Sequence, residues 1–211
     1  MFGASTKLKE IKIPDSVKTL EGLVFYGCSG LSSVTMNSVE SIGREAFEEC
    51  TALQQITLPS TLTTIGAMAF YNSGLKSVEI PGSVHDTATT DGEGNESTVY
   101  GLGYAAFNSC IYLESVKIAN GVETIPSGAF GYCIALKEIY IPLSVKEVQG
   151  AYYSSDGSYL FGHAFYGDTA LINVYYEGTE EEWKGIDIDS TKISGQDNSA
   201  LINAAKHYEN K

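Results

Sequence analysis

Short alternations of hydrophobic and polar residues recur along the chain. In LKEIKIP, at 8–14, Ile11 and Ile13 alternate with polar Lys12, which predicts a short β-strand with one buried face. Pro14 ends this strand, where its missing N–H leaves no gap in a hydrogen-bond ladder. A second phrase, IGREAFEEC, occupies 42–50, and similar phrases stand at 65–73, 102–110 and 125–133. The recurrence predicts a repeat protein.

The two phrases combine into one unit, L-x-x-[IV]-x-[ILM]-P-x-x-[VL]-x-x-[IL]-G-x-x-A-F-x-x-C-x-x. Its leading leucines are Leu8, Leu31, Leu53, Leu75, Leu113, Leu136 and Leu171, and a phenylalanine column with the same rhythm consists of Phe2, Phe25, Phe47, Phe70, Phe107, Phe130 and Phe165. Regular units have 22–23 residues, and extra segments lie near 86–101 in the fourth unit and 149–160 in the sixth. A single unit cannot bury its own apolar face, so the units are expected to stack around one continuous core.

The predicted fold is α/β, a right-handed leucine-rich-repeat solenoid. Parallel strands about 4.8 Å apart form one face, and short helical turns form the other. In GREAFEEC, one helical turn is expected to direct Ala46, Phe47 and Cys50 into the core.

Three segments divide the chain. Residues 8–170 are predicted to form six repeats, and 171–211 a C-terminal capping segment that contains a capping box at Thr179 and Glu182. Residues 1–7 are predicted to be the remnant of a preceding repeat, because Phe2 stands before Leu8 at the spacing of the other units. We therefore expect the chain to be the C-terminal part of a longer protein, with any signal peptide further upstream.

The phrase IPxxVxxIGxxAFxxC resembles the BspA-like leucine-rich repeats over nearly the whole chain. The ending, VYYEGTEEEWKGI followed by SALINAAKHY, is similar to the closing segment of such arrays. MNS at 36–38 lacks the proline, Ala119 replaces another proline, and Ser73 and Asp168 replace the cysteine. The resemblance implies a secreted or surface-attached bacterial protein that mediates adhesion to host or extracellular-matrix proteins.

Composition narrows the possible partners. The net charge is −13, the pI is about 4.5, and Arg44 is the single arginine, so nucleic acid and anionic membrane surfaces are unfavourable partners. No apolar run approaches the roughly 20 residues that span a bilayer. We therefore predict a protein ligand, with a glycan as an alternative, and no membrane insertion by this segment.

No catalytic, cofactor or metal site is predicted. Cys28, Cys50, Cys110 and Cys133 share one column but lack the close pairing of zinc ligands, so we expect buried free thiols. The histidines, His85, His163 and His207, belong to no catalytic motif, and His163 takes the repeat position of Glu45, where a solvent-exposed side chain is expected.

The first candidate site lies in the insertions. Both interrupt a unit between its strand and its turn, so they should emerge on one flank and meet over the fifth unit. Tyrosine with serine and glycine is typical of recognition loops. The candidate ligand-binding residues here are Tyr100, Tyr104, Tyr152, Tyr153 and Tyr159. The alternative is that both are tolerated surface insertions.

The second candidate site lies on the strand face. Tyr140 and Tyr175 occupy the outward-facing strand column near the C-terminal end of the array. Solenoid faces of this kind are extended binding surfaces, although a plain solvated face is the alternative. The leading hypothesis is a non-enzymatic protein-binding or adhesion module. A structural spacer that presents an upstream domain and a glycan-binding accessory module remain alternatives.

Overall fold

The computed structural model describes residues 2–90, 96–153, 159–193 and 196–209. In chain order the strands are β1 (Glu10–Lys12), β2 (Thr19–Leu20), β3 (Ser33–Thr35), β4 (Ser41–Ile42), β5 (Thr64–Ile65), β6 (Ser77–Ile80), β7 (Thr87–Thr90), β8 (Glu96–Val99), β9 (Ser115–Ile118), β10 (Thr124–Ile125), β11 (Glu138–Ile141), β12 (Glu147–Val148), β13 (Tyr152–Tyr153), β14 (Tyr159–Phe161), β15 (Asn173–Tyr176), β16 (Asp187–Ile188) and β17 (Ala205–Tyr208), and the helices are α1 (Glu180–Lys184) and α2 (Ser199–Asn203). The predicted insertions and terminal segments therefore lie partly outside the described residues.

Parallel strands from successive units stack along one face, as predicted. The larger sheet has the order β17-β15-β11-β9-β6, and β1 pairs with β3. The register advances by one unit at each step, for example Glu138 opposite Asn173 and Tyr140 opposite Tyr175. A second ladder of two-residue strands runs parallel to the first, as β2-β4-β5 and β10-β12-β16. This arrangement confirms the leucine-rich-repeat architecture.

The strand face is interrupted at the third unit. Residues 55–57, which the pattern predicts as a strand, do not form one. On this face the Lys76 N–H donates to the Gln54 carbonyl at 3.0 Å in place of a regular ladder. A polar groove of about 590 Å³ opens there, lined by Ser33, Gln55 and Ser77 among others. The sheet is therefore continuous only from the fourth unit onwards.

The phenylalanine column forms the centre of the core. Consecutive rings from Phe2 to Phe165 stack at centroid distances of 5.1–5.7 Å. Every ring except Phe2 is fully buried. The four cysteines are buried and free, as predicted, and each thiol donates to the carbonyl of the phenylalanine in the preceding unit.

The face opposite the strands differs from the predicted helical turns. Every second N–H donates three residues back, and the others donate to the next unit. In the second unit, Ala46, Glu48 and Cys50 donate to Gly43, Glu45 and Phe47, whereas Glu45, Phe47 and Glu49 donate to Ala67, Ala69 and Tyr71. Left-handed residues such as Glu45 (φ 58°) and Glu49 (φ 60°) make this alternation possible. Inter-unit hydrogen bonds thus replace those of a helix, while Ala46, Phe47 and Cys50 still point inward.

Both insertions begin and end as antiparallel hairpins. Strand β7 pairs with β8, and β13 pairs with β14. The backbone N–H of Gly101 donates to the Asp86 carboxylate at 2.9 Å, which fastens the base of the first hairpin. Parallel pairing resumes directly after the first hairpin, where Leu102 bridges Ile65.

The C-terminal segment contains two short helices and three strands, β15, β16 and β17, which extend the two ladders. The predicted capping box is present, since the Thr179 hydroxyl accepts from the Glu182 N–H and the Glu182 carboxylate accepts from the Thr179 N–H. Trp183 packs edge-on against Tyr176 at 5.3 Å and contacts the core. Strand β17 adds one further parallel strand beyond β15.

Asp168 is a buried carboxylate in the cysteine column of the sixth unit. Its Oδ1 accepts a hydrogen bond of 2.8 Å from the Cys133 N–H, whereas Oδ2 has no hydrogen-bond partner among the described residues. Burial raises the pKa of Asp168 well above its usual value, because desolvation outweighs that hydrogen bond. The folded chain therefore favours the protonated side chain.

We expect Asp168→Cys to stabilise the protein by about 1–3 kcal/mol at neutral pH and to lose this advantage near pH 4. The pKa of Asp168 is higher in the folded state than in the unfolded state. Protonated Asp168 therefore stabilises the fold fully below the unfolded-state pKa, and this stabilisation is lost as the pH rises through the folded-state pKa. The new thiol would regain the repeat's hydrogen bond to a phenylalanine carbonyl. Urea unfolding of both proteins in reducing buffer across this pH range measures the difference, and a pH-independent difference would contradict the assignment.

Candidate functional site

Three rings form a stacked row on the strand face, which we call the aromatic platform: Tyr140, Tyr175 and His207. The rings of Tyr140 and Tyr175 stack at 4.5 Å with an interplanar angle of 12°, and those of Tyr175 and His207 stack at 4.8 Å with an angle of 21°. Parallel register causes the stacking, because the three residues lie directly opposite one another on β11, β15 and β17. Tyr140 remains 39% exposed.

The aromatic platform borders a small groove of about 250 Å³, lined by Lys117, Tyr176, Glu177 and Tyr208 among others. Lys117 continues the same column and forms an ion pair of 2.8 Å with Glu79. Burial, assisted by the charge of Glu138, raises the pKa of Tyr140, so its hydroxyl stays protonated at neutral pH. The surface thus combines flat rings, hydroxyl groups and flanking charges.

His207 was not among the predicted site residues. Its Nε2 lies 2.9 Å from Asn173 Oδ1, which fixes the ring beside Tyr175. Strand β17 alternates exposed and half-buried residues, as β1 and β3 do. The alternation in AKHY is the sequence signal for this strand, although the segment lies outside the regular units.

Tyrosines of the two insertions meet, although they lie two units apart. The rings of Tyr104 and Tyr152 stack at 4.4 Å, and Tyr100 packs edge-on against Tyr104 at 5.8 Å. The Gln149 amide donates to the Tyr100 hydroxyl at 2.9 Å. Burial raises the pKa of Tyr104 to about 12, with smaller effects of nearby Tyr100 and Tyr152. These three half-buried side chains therefore fasten the insertions to each other.

The other two predicted insertion residues are Tyr153 and Tyr159. Tyr153 follows Tyr152 on the same strand, β13, and is 40% exposed. The backbone of Tyr159 pairs with Tyr153 in the hairpin, but the side chain of Tyr159 lies outside the described part of the structure.

The expectation for His163 was wrong. Its side chain is fully buried rather than exposed, in a wall of a third groove of about 440 Å³ on the face opposite the strands. Neither ring nitrogen has a hydrogen-bond partner among the described residues. Phe161 of the second insertion also lines this groove, so residues distant in the repeat pattern help to cover the histidine.

Within the ranges that the structure describes, no three His, Cys, Asp or Glu side chains are grouped as metal ligands would be. Likewise, none of the described helices is long and apolar enough to cross a membrane.

Solved structures of bacterial leucine-rich repeat proteins resemble this fold. One from Treponema pallidum is 27% identical, with a TM-score of 0.60, over 80% of this chain and 69% of its own. One from Bacteroides ovatus is 26% identical, with a TM-score of 0.56, over 82% and 56%. The pneumococcal vaccine antigen PcpA is 25% identical, with a TM-score of 0.60, over 88% and 42%. The chain thus spans about half the length of the last two proteins.

No curated protein sequence is significantly similar to the chain. The family model for the BspA type leucine-rich repeat region, in contrast, matches six copies over residues 1–90 and 95–159. The match covers well over half of the chain and fits the stacked parallel strands. The protein belongs to the BspA-type leucine-rich repeat family.

Proposed function

We propose that this chain is a non-enzymatic protein-binding module of a bacterial cell-surface or secreted protein, and that it contacts its partner through the aromatic platform. The observation that carries the proposal is the stack of Tyr140, Tyr175 and His207 on an open strand face. The partner is a protein, of which host extracellular-matrix proteins are the first to test. A repeat array suits this role because it presents an extended surface.

The chemistry of the aromatic platform favours a protein partner. Tyrosine provides a large, rigid contact area with a hydroxyl at its tip, and it is enriched at the energetic centres of interfaces. Stacking already restricts the two tyrosine rings, so less conformational entropy is lost on binding. Glu177 and Lys117 beside the groove add a polar rim, as interfaces usually have.

The proposed location rests on the relatives. PcpA is a vaccine antigen of the pneumococcus, and the other two similar structures are bacterial leucine-rich repeat proteins. An antigen used in a vaccine has to be accessible to antibodies, which supports a surface or extracellular position for this chain. The chain spans only part of two of these proteins. Any activity of a longer protein that contains this chain therefore also belongs to the proposal.

The insertion tyrosines are the second candidate surface. Tyr100, Tyr104 and Tyr152 are largely engaged with one another, whereas Tyr153 is exposed. These contacts favour a structural role for Tyr100, Tyr104 and Tyr152. Tyr153 is therefore the insertion residue to test for ligand contact.

We expect the double variant Tyr140→Ala/Tyr175→Ala to weaken binding to an extracellular-matrix protein about ten-fold or more, because both rings would leave the centre of the interface. The measurement is surface plasmon resonance on immobilised collagen, fibronectin and laminin. Circular dichroism would show that the variant remains folded.

Tyr153→Ala is the matched control, since Tyr153 and Tyr140 are almost equally exposed, at 40% and 39%. Loss of binding in this variant alone would move recognition to the insertions. A lack of binding by the unmodified protein to all three matrix proteins would favour the structural spacer. Competition by soluble glycans would favour the glycan-binding alternative.

A further inference from the structure

Strand β17 has one open side. It is the last strand in the order β17-β15-β11-β9-β6, and no strand in the described part of the chain pairs with its outer side. The N–H groups of Ala205 and Glu209 donate to carbonyls at the two ends of β15, at 2.8 and 3.1 Å. Alternate residues of a parallel strand direct their backbone groups to opposite sides. The N–H and C=O groups of Lys206 and Tyr208 therefore point outward, away from β15.

This edge of β17 can pair with another extended chain. Each outward residue provides one donor and one acceptor at the spacing of a β-ladder, and such an edge is a template for a further strand. Charged side chains commonly protect edges of this kind. The ammonium group of Lys206, however, donates to the Ile202 and Ala204 carbonyls at 2.8 and 2.6 Å. Its charge is therefore directed back to residues that precede β17, and the edge remains accessible.

The ring of His207 ends the aromatic platform beside this edge. One face of the ring stacks on Tyr175 at 4.8 Å, whereas no described ring stacks on the other face, and His207 is exposed. In a parallel ladder, a residue opposite His207 on an added strand would stand to it as His207 stands to Tyr175. An aromatic side chain at that position would therefore extend the row of stacked rings.

Two neighbouring glutamates give this end of the strand face a negative charge. Glu177 and Glu209 directly follow paired residues of β15 and β17, both are exposed, and both line the groove beside the aromatic platform. Neither carboxylate forms an ion pair with a described residue. Lys117 also lines the groove, but Glu79 already engages its ammonium group at 2.8 Å. The local charge thus favours a basic side chain on an added strand.

The register places these two requirements on one short segment. His207 and Glu209 are two residues apart, so their side chains lie on the same face. A segment that pairs in parallel with β17 would therefore meet both of them with side chains that are also two residues apart. The matching sequence is an aromatic residue, any residue, and then a lysine or arginine.

We propose that β17 accepts an extended segment of the protein partner as an added parallel strand, with an aromatic residue over His207 and a basic residue beside Glu209. This inference rests on the proposed protein-binding function, because it specifies how a partner engages the end of the aromatic platform. Main-chain hydrogen bonds would provide affinity, and the two side chains would provide specificity.

The test uses the folded chain and the peptide acetyl-Ser-Val-Tyr-Val-Lys-Thr-amide, whose tyrosine and lysine match His207 and Glu209. NMR titration of the ¹⁵N-labelled protein measures binding, and a dissociation constant of about 0.1 mM is expected of so short a segment. At saturating peptide, the amide protons of Lys206 and Tyr208 are expected to exchange with solvent about five-fold more slowly or less, because they become hydrogen-bonded.

Methylated peptides distinguish strand addition from side-chain contact alone. In the proposed register, the N–H of the peptide's tyrosine donates to the Lys206 carbonyl, whereas the N–H of the next valine points away from β17. N-methylation of the tyrosine is expected to weaken binding about ten-fold, and N-methylation of that valine by less than about three-fold. Equal effects of the two methyl groups would contradict pairing along the edge.

Variants of the protein test the two side-chain contacts. His207→Ala removes the ring face and is expected to weaken peptide binding about five-fold. Glu209→Gln removes the charge and is expected to weaken it about three-fold at low salt. Glu10→Gln is the matched control, since Glu10 is an exposed strand residue on β1, and it should leave peptide binding unchanged. Circular dichroism would show that each variant remains folded.

Two outcomes would overturn the inference. One is that the unmodified protein does not bind the peptide, and the other is that it binds without slower exchange at Lys206 and Tyr208. Binding of a matrix protein without binding of the peptide would contradict strand addition alone, because the test of the proposed function depends on Tyr140 and Tyr175. Peptide binding with slower exchange, in a protein that binds no matrix protein, would support strand addition and contradict only the choice of matrix partners.

Discussion

Replacing Phe107 with alanine is expected to lower the free energy of unfolding by about 3–5 kcal/mol. The ring is fully buried and stacks on Phe70 at 5.1 Å and on Phe130 at 5.7 Å, so its removal leaves a cavity and two unpaired ring faces. Repeats contact mainly their neighbours, and the loss in the fourth unit should therefore also separate the unfolding of the two halves. Urea unfolding monitored by circular dichroism measures both effects.

Phe2→Ala is the matched control for this experiment. Phe2 belongs to the same column, but it is 47% exposed and, among the described residues, stacks on Phe25 alone, at 5.6 Å. Its loss is expected to cost less than about 1.5 kcal/mol, since much of its area is already in contact with water. Equal effects of the two substitutions would show that the stacked column is not the main source of stability.

Gly66→Ala is expected to destabilise the protein by about 2–4 kcal/mol, although it adds a single methyl group. A Cβ atom at Gly66 would lie 2.6 Å from the backbone nitrogen of Arg44 and 2.6 Å from the carbonyl carbon of Gly43. Backbone of the preceding unit cannot rotate away as a side chain can, so the two units would have to separate. Thermal unfolding followed by calorimetry would record the loss.

Gly3→Ala provides the comparison for Gly66→Ala. The nearest atom to a Cβ at Gly3 is the Tyr26 carbonyl oxygen at 3.6 Å, an ordinary van der Waals distance. Its effect on stability is expected to stay within about 0.5 kcal/mol. A similarly small effect at Gly66 would mean that the spacing between units can relax without loss.

The coil architecture could be predicted because each position of the unit recurs. Ile11 and Ile13 alternate with Lys12 in one unit, and the same alternation in later units identifies the buried side of the strands. The phenylalanine and cysteine columns were identified in the same way. Periodicity averages over units, so local exceptions hardly disturb it.

The backbone geometry of the turns could not be predicted from the periodicity of the sequence. Leu23, Met68 and Tyr132 adopt positive φ, although none of these residue types favours it. Hydrogen bonds to the next unit impose the conformation, as between the Met68 N–H and the Tyr104 carbonyl at 2.9 Å. These bonds arise only when the units have stacked, so intrinsic preferences do not reveal them.

The candidate sites also contain some residues that the repeat pattern predicts and others that it does not. Tyr140 and Tyr175 were identified because they occupy regular strand positions. His207 lies in a strand that the cap contributes, and His163 is buried beside a groove that an insertion helps to line. Both depend on contacts between segments that depart from the repeat, where the unit pattern carries no information.

The uniform register also has an evolutionary consequence. From the fourth unit onwards each unit meets its neighbour in the same alignment, as in Ser115 opposite Glu138 and Glu138 opposite Asn173, so the upper and lower sides of these units are interchangeable. Duplication or deletion of a whole unit in the gene would therefore recreate a compatible junction. The array could change its length in steps of about 4.8 Å, and thereby the reach of its binding surfaces, without any change to the surfaces themselves.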